Sequence, residues 1–243
     1  MHPLLEEIFS TGLTQLPDRS PTKVTSAISR DAVEMIDRTI ALCGASSAVE
    51  VGMAFGISTL SIAYNVTRLV SIDPHQSDGW HGAGMHLIRR AGLEHVVELI
   101  QALSQQALPR LVDAGERFGF ALIDGWHTFD HTLVDFFYVD ARLESGGIVV
   151  IDDVGYPAID RVIRFILANR DYDTVDAVCY GETVSASLRV RGAIKRWLRT
   201  LARTDRDPSP EHEQRFRDIE RVQTIALRKR GEDTRRFDHF ERF

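Results

Sequence analysis

Three aspartates close runs of aliphatic residues: FGFALID ends on Asp124, and IVVIDD ends on Asp152 and Asp153. Asp152 lies 28 positions after Asp124. Carboxylates gathered at neighbouring strand ends repel one another unless a cation joins them. Hard oxygen ligands in that number suit Mg²⁺, Mn²⁺ or Ca²⁺ better than zinc. The competing reading has one aspartate capping a helix and another paired with Arg161 or Arg164 of the next segment. His127 stands three residues after Asp124. Imidazole titrates near neutrality, so His127 beside a metal-bound hydroxyl is a candidate general base. A histidine taken alone is more often a polar loop residue, here one bonded to Asp130, and His75 and His131 are read that way. Trp126 either walls a ligand site or is a half-buried loop aromatic.

A second set of residues lies upstream. EVGMAFGIST holds Glu50, Gly52, Gly56 and Ser58 between a strand and a helix. Glycines there let a ligand approach the backbone at a helix start. The spacing is neither the phosphate-cradling G-x-G-x-x-G nor a nucleoside-triphosphate loop with its Lys-Ser or Lys-Thr pair. A plain tight turn is the alternative. Asp73 ends the next strand, 23 residues after Glu50, where a carboxylate can accept both hydroxyls of a ribose. Ser104 and Gln105 follow the third strand and can hydrogen-bond an adenine edge. Without the other motifs, Ser104 is a helix N-cap.

The elements that must position these residues alternate. SAVEV, RLVSI, VVELI, FGFALI and IVVI read as strands. GISTLSIAYNV, HLIRRAGL, ALPRLVDAGE, DHTLVDFFYVDARL and AIDRVIRFILANR read as helices, the fourth stopped by Ser145-Gly146-Gly147. Strands alternating with helices imply a parallel sheet covered on both faces, with ligands beyond the carboxyl ends of its strands. VQTIALRKR alternates as a last strand. Before it, SLRVRGAIKRWLRTLAR sets Val190, Ile194, Trp197 and Leu201 on one helical stripe and arginines opposite. This 189–203 stretch is read as packing its stripe on the core or a second subunit, rather than as a membrane-surface anchor or a clamp for an anionic acceptor.

The chain has 243 residues, 44% hydrophobic and 26% charged, which suits a soluble globular protein with a sizeable core. No aliphatic run is long enough for a transmembrane segment, and the acidic start MHPLLEEIFS lacks a leader's basic and apolar regions. A cytoplasmic protein is expected. Cys43 and Cys179 lack metal-site spacing and read as buried thiols. The net charge of −6 is uneven: residues 181–243 carry 16 basic and 11 acidic side chains, and residues 1–180 carry 13 and 24. An acidic body without a recognised binding motif argues against nucleic acid as a partner.

Together these motifs resemble the class I S-adenosylmethionine-dependent methyltransferases, and among them the metal-dependent O-methyltransferases related to catechol O-methyltransferase. EVGMAFGIS is similar to that group's E-x-G-x-x-x-G-x-S, ALSQ to its Ser-Gln, IDGWH to its Asp-His-Trp-Lys, and IDD to its Asp-Asn. A wider bacterial group acting on sugars and natural products is similar as well. The resemblance spans about residues 25–180. It implies an α/β, Rossmann-like, doubly wound and mostly parallel seven-stranded sheet with helices on both faces. A helical insertion before the last strand is read from the residues and has no match in the small catechol enzyme. The expected organisation is an N-terminal helical cap (1–45), a cofactor-binding core (46–182), the insertion (183–220), and the last strand with a tail (221–243). Glu50, Gly52, Gly56 and Ser58 would hold the methionine part of S-adenosylmethionine, Asp73 its ribose, and Ser104, Gln105 and Trp126 its adenine side. Asp124, Asp152 and Asp153 would hold Mg²⁺ or Mn²⁺, Asp124 also bordering the cofactor, and His127 would replace the group's lysine base. The expected acceptor is a hydroxyl of a small molecule or saccharide, and a homodimer is the implied assembly. A metal-independent N- or O-methyltransferase and a non-catalytic cofactor-binding module are the competing readings.

Overall fold

The computed structural model describes residues 1–179, 222–241 and 243. The 183–220 insertion and the basic stretch 189–203 therefore lie outside the described residues. The N-terminal cap is not purely helical: α1 (Pro3–Thr11) and α2 (Arg30–Cys43) flank a hairpin of β1 (Leu13–Gln15) and β2 (Pro21–Lys23). Ser29 caps α2 by accepting from the Ala32 N–H at 3.3 Å, and Gly44 ends it with a left-handed turn.

The core then alternates as β3 (Ser47–Val51), α3 (Ile57–Asn65), β4 (Arg68–Ile72), α4 (Ala83–Arg90), β5 (Val97–Ile100), α5 (Ser104–Asp113), β6 (Phe118–Ile123), α6 (Phe129–Arg142), β7 (Leu143–Ile151) and α7 (Pro157–Asn169). Two strands complete it, β8 (Tyr172–Cys179) and β9 (Val222–Lys229). They form one seven-stranded sheet in the order β5-β4-β3-β6-β7-β9-β8. The first five strands of that order are parallel, and β9 runs antiparallel to both its neighbours. The expected Rossmann-like sheet is present.

Two apolar layers cover it. Ala48, Leu69, Phe120, Leu122 and Val150 face one layer with α1 to α4, while Val49, Val70, Ala121, Val149 and Ile225 face the other with α5 to α7. Successive residues of a strand point to opposite faces, so strands buried on both sides read as unbroken aliphatic runs. Two details depart from the sequence reading. Tyr172–Cys179 is a strand that the sequence reading did not include, its aliphatic signal broken by Asp173 and Asp176. β7 begins at Leu143, ahead of the Ser-Gly-Gly stop, because Leu143 pairs with Phe118 before a register shift leads to Ile148 opposite Phe120.

The antiparallel edge is fastened by charge. The fully buried Lys229 ammonium donates to the Asp140 carbonyl at 2.7 Å and the Leu143 carbonyl at 3.0 Å. Asp140 also accepts from the Tyr172 hydroxyl at 2.6 Å and pairs with Arg170 at 2.7 Å. A buried charge is tolerable only with such partners. The arrangement fixes β9 against α6 and β8, and so fixes which β9 residue meets the carboxyl end of β7.

Candidate active site

The glycine loop leaves β3 at its carboxyl end. Gly52 has φ +95, and a Cβ there would lie 2.1 Å from the Asp124 carbonyl oxygen. Gly56 has φ +81, and its Cβ would lie 2.9 Å from the Gly84 Cα. Only glycine permits both the left-handed backbone and these approaches. The loop is thereby pressed between the end of β6 and the start of α4. α3 starts after it with no side-chain cap, leaving first-turn N–H groups of the kind that suit a carboxylate.

The acidic residues of this region work inside the fold. Glu50 is fully buried, and its carboxylate accepts from the hydroxyls of Ser58 at 2.6 Å, Thr59 at 2.7 Å and Ser71 at 2.6 Å. Burial pushes its carboxyl up to about 7 against those three hydrogen bonds. Glu50 and Ser58, expected to hold the methionine part, are bonded to each other beneath the glycine loop. Asp73 is 4% exposed and accepts from the backbone N–H groups of Met53 at 3.1 Å, Ala54 at 2.8 Å and His75 at 2.7 Å. Gln76 braces the same loop, donating to the Ala54 carbonyl at 2.7 Å. Asp73 Oδ2 thus pins the glycine loop, and its Oδ1 holds the turn after β4 at His75. Ala54 has φ +46, a conformation these contacts hold in place.

Asp124 follows β6, beside the glycine loop. His127 Nε2 lies 3.4 Å from Asp124 Oδ1 and 3.2 Å from Asp153 Oδ2. One ligand atom from each of Asp124, His127 and Asp153 lies within 4.8 Å of the others. Hydrogen bonding to Asp124 is the main reason that the His127 imidazole is held above its ordinary range, with the charges of the aspartates adding to it. Burial, in turn, pushes the Asp124 carboxyl up. The His127 ring stacks on Tyr156, with centroids 5.7 Å apart and planes 18° from parallel.

Asp152 and Asp153 point different ways, as successive residues leaving a strand do. Asp153 has φ +55, which aspartate tolerates better than most residues, and turns the chain toward α7. Asp152 is 6% exposed and accepts a hydrogen bond from the Thr224 hydroxyl of β9. Burial, followed by the charge of Asp124, pushes the Asp152 carboxyl up to about 7. The tight group is therefore Asp124, Asp153 and His127, with Asp152 behind it, rather than three carboxylates together. Arg164 Nε donates to Asp160 at 2.7 Å and Arg161 contacts the Phe243 carbonyl. His127 does not bond Asp130, which accepts from Thr128 instead.

On the side of α5, Leu103 is the N-cap and Ser104 the first helical residue, which corrects the capping alternative for Ser104. Ser104 is partly buried and Gln105 exposed. Trp126 is 64% exposed, so it projects from the loop after β6 instead of packing under it. Cys43 and Cys179 are partly buried rather than core residues. Thr224, Gln76 and Tyr156 were not legible as site residues. Only Tyr156, three positions after the aspartate pair, carried a signal in its place along the chain.

Residues 49–154 match the family described as methyltransferase domain, a span that holds the glycine loop and all three aspartates. Over that span the chain is similar to a methyltransferase domain. No curated protein matches it in sequence. Among solved structures, an O-methyltransferase from Bacillus cereus in complex with SAH is similar with 16% identity and a TM-score of 0.63, over 94% of this chain and 92% of that one. A putative O-methyltransferase from Klebsiella pneumoniae is similar with 12% identity and a TM-score of 0.62, over 93% and 89%. The O-methyltransferase TomG from Streptomyces achromogenes, in complex with SAM, shares 17% identity with a TM-score of 0.57, over 83% and 80%. At these identities the likeness is one of fold. Among the described residues, no helix is long and apolar enough to cross a membrane.

Proposed function

We propose that the protein moves a methyl group from S-adenosylmethionine to a hydroxyl of a small molecule or saccharide, with Mg²⁺ or Mn²⁺ at the strand ends. The observation that carries this reading is the group of Asp124, His127 and Asp153, drawn within 4.8 Å beside the glycine loop. The two carboxylates at that spacing are oxygen donors of the kind either cation accepts, with the imidazole beside them. The fold neighbours described as O-methyltransferases support the donor and the accepting oxygen.

Asp124 and Asp153 would hold the cation, with Asp152, bonded to Thr224, behind them. When bound, such a cation draws an acceptor hydroxyl close and makes its proton easier to remove. His127 Nε2 can bind a cation or take a proton, not both. We assign it the proton, because it stands at the solvent-facing side of the group, 41% exposed, with Tyr156 fixing its ring plane. The deprotonated oxygen then attacks the sulfonium methyl carbon, forming the O–C bond as the C–S bond breaks and its electron pair returns to sulfur. The donor arrives activated, so the protein's part is to bind, align and deprotonate. The uncapped α3 N-terminus suits the donor's carboxylate, and Ser104, Gln105 and Trp126 border its base end. A cytoplasmic, homodimeric enzyme completes the proposal, with no nucleic-acid partner.

Mn²⁺ binding measured by electron paramagnetic resonance, with SAH present, tests it. Asp153→Asn and Asp124→Asn should each weaken Mn²⁺ binding at least about tenfold. Chelation should stop methyl transfer to a hydroxyl acceptor, and added Mg²⁺ should restore it. SAH binding without Mn²⁺ binding in the wild type would favour metal-independent transfer to nitrogen or oxygen. Failure to bind SAH would favour a non-catalytic module.

A further inference from the structure

One side chain beneath the glycine loop has no part in the chemistry above. Gln76, in the turn after β4, is 2% exposed. Its amide Nε2 donates to the Ala54 carbonyl at 2.7 Å and to Asp73 Oδ2 at 3.3 Å. Both neighbours are acceptors, so chemistry fixes which end of the amide faces them. The other end, Oε1, meets the start of α4, where a Cβ built on Gly84 would lie 2.8 Å from it. The Gln76 backbone carbonyl accepts from the N–H of Gly82, the N-cap of α4, at 2.6 Å. One buried residue thus ties the glycine loop to the end of β4 and to the start of α4.

Packing alone does not account for a glutamine here. Its Oε1 is sealed from solvent without a hydrogen-bond partner among the described residues. An apolar side chain of that size would avoid the cost of an unpaired acceptor. It would not, however, hold the Ala54 carbonyl. Ala54 has φ +46, a conformation that a residue with a Cβ rarely takes. Asp73 Oδ2 holds the Ala54 N–H at 2.8 Å, and Gln76 holds its carbonyl. The Ala54–Phe55 peptide is trans, so with its carbonyl turned to Gln76 its N–H points the opposite way. Gln76 thereby sets the direction of the Phe55 N–H, just ahead of α3.

We propose that Gln76 is a positioning residue for the methionine end of the methyl donor: it locks Ala54 in its left-handed turn. The glycine loop then holds its shape before the donor arrives, which lowers the ordering cost of binding. This inference rests on the proposed use of S-adenosylmethionine, with its methionine end against the glycine loop. Gln76 itself, buried beneath that loop, acts through Ala54.

The test is a double-mutant cycle with Ala54→Gly, read by calorimetric titration with SAH, with each variant's melting temperature recorded. Gln76→Met keeps the length of the side chain and removes the donor. It should weaken SAH binding about tenfold, equivalent to about 1.4 kcal/mol, within the range that a left-handed residue with a Cβ costs. In the Ala54→Gly background the same change should weaken binding far less, because glycine takes the turn unaided. If Gln76→Met does not fold, Gln76→Leu takes its place. A lowered melting temperature with unchanged SAH affinity would make Gln76 a packing residue and overturn the inference. An equal loss of affinity in both backgrounds would overturn it as well. A wild type that fails to bind SAH would remove the reading of the donor, and this inference with it.

Discussion

Replacing Glu50 by glutamine keeps the size and the acceptor oxygen of a group that sits under three hydroxyls, but removes its ability to ionise. Its carboxyl is pushed from an ordinary 4.5 to about 7 by burial. The folded protein therefore holds this proton more tightly than the unfolded chain, and the unfolded chain releases it first as pH rises. The stability the proton contributes is full below about pH 4.5 and is lost as pH climbs to about 7. Each tenfold in proton affinity is worth about 1.4 kcal/mol, so the full window amounts to about 3 kcal/mol. Urea unfolding without cofactor, near pH 5 and near pH 8, measures it in both proteins. Asp135 and Asp152 also carry raised carboxyls, but they titrate in both proteins and cancel in the difference. Glu50→Gln should gain on the wild type by about 2 to 3 kcal/mol between the two conditions. Stability differences that stay constant across that range would show that Glu50 does not titrate there. The account of its burial under Ser58, Thr59 and Ser71 would then be wrong.

Two further outcomes follow from the packing. Gly52→Ala drives a Cβ to 2.1 Å from the Asp124 carbonyl at φ +95, so it should cost about 3 kcal/mol, the upper end of overpacking penalties. It should also displace the end of β6 and weaken SAH binding; an unchanged melting temperature and titration would refute the close approach. Lys229→Met leaves Asp140 with Arg170 and Tyr172 but strips two carbonyls of their donor. It should cost about 3 kcal/mol, seen as a fall in Tm of roughly 10 °C. A melting temperature within a degree or two of wild type would mean that the network adds nothing to the β9 edge.

The sequence by itself determined the alternation of strands and helices, because unbroken aliphatic runs and the 3.6-residue period are local properties of a sheet buried on both faces. It also marked the strand ends, and with them Gly52, Gly56, Asp124 and the Asp152–Asp153 pair, since glycines and carboxylates interrupt those runs. The strand β8 was less legible: half-exposed edge residues such as Asp173 and Asp176 break the aliphatic signal. What only the tertiary structure decided is how each acidic side chain spends its oxygens. Glu50 meets Ser71 from the adjacent strand, Asp73 meets the backbone of a loop 19 and 20 residues away, and Asp152 meets Thr224 across an antiparallel pairing 72 residues distant. Spacing along the chain brings a carboxylate to a strand end. Whether it then faces a ligand or a neighbouring donor depends on the register of β9 against β7 and on the left-handed turn at Asp153, and both are set by contacts between segments far apart in sequence.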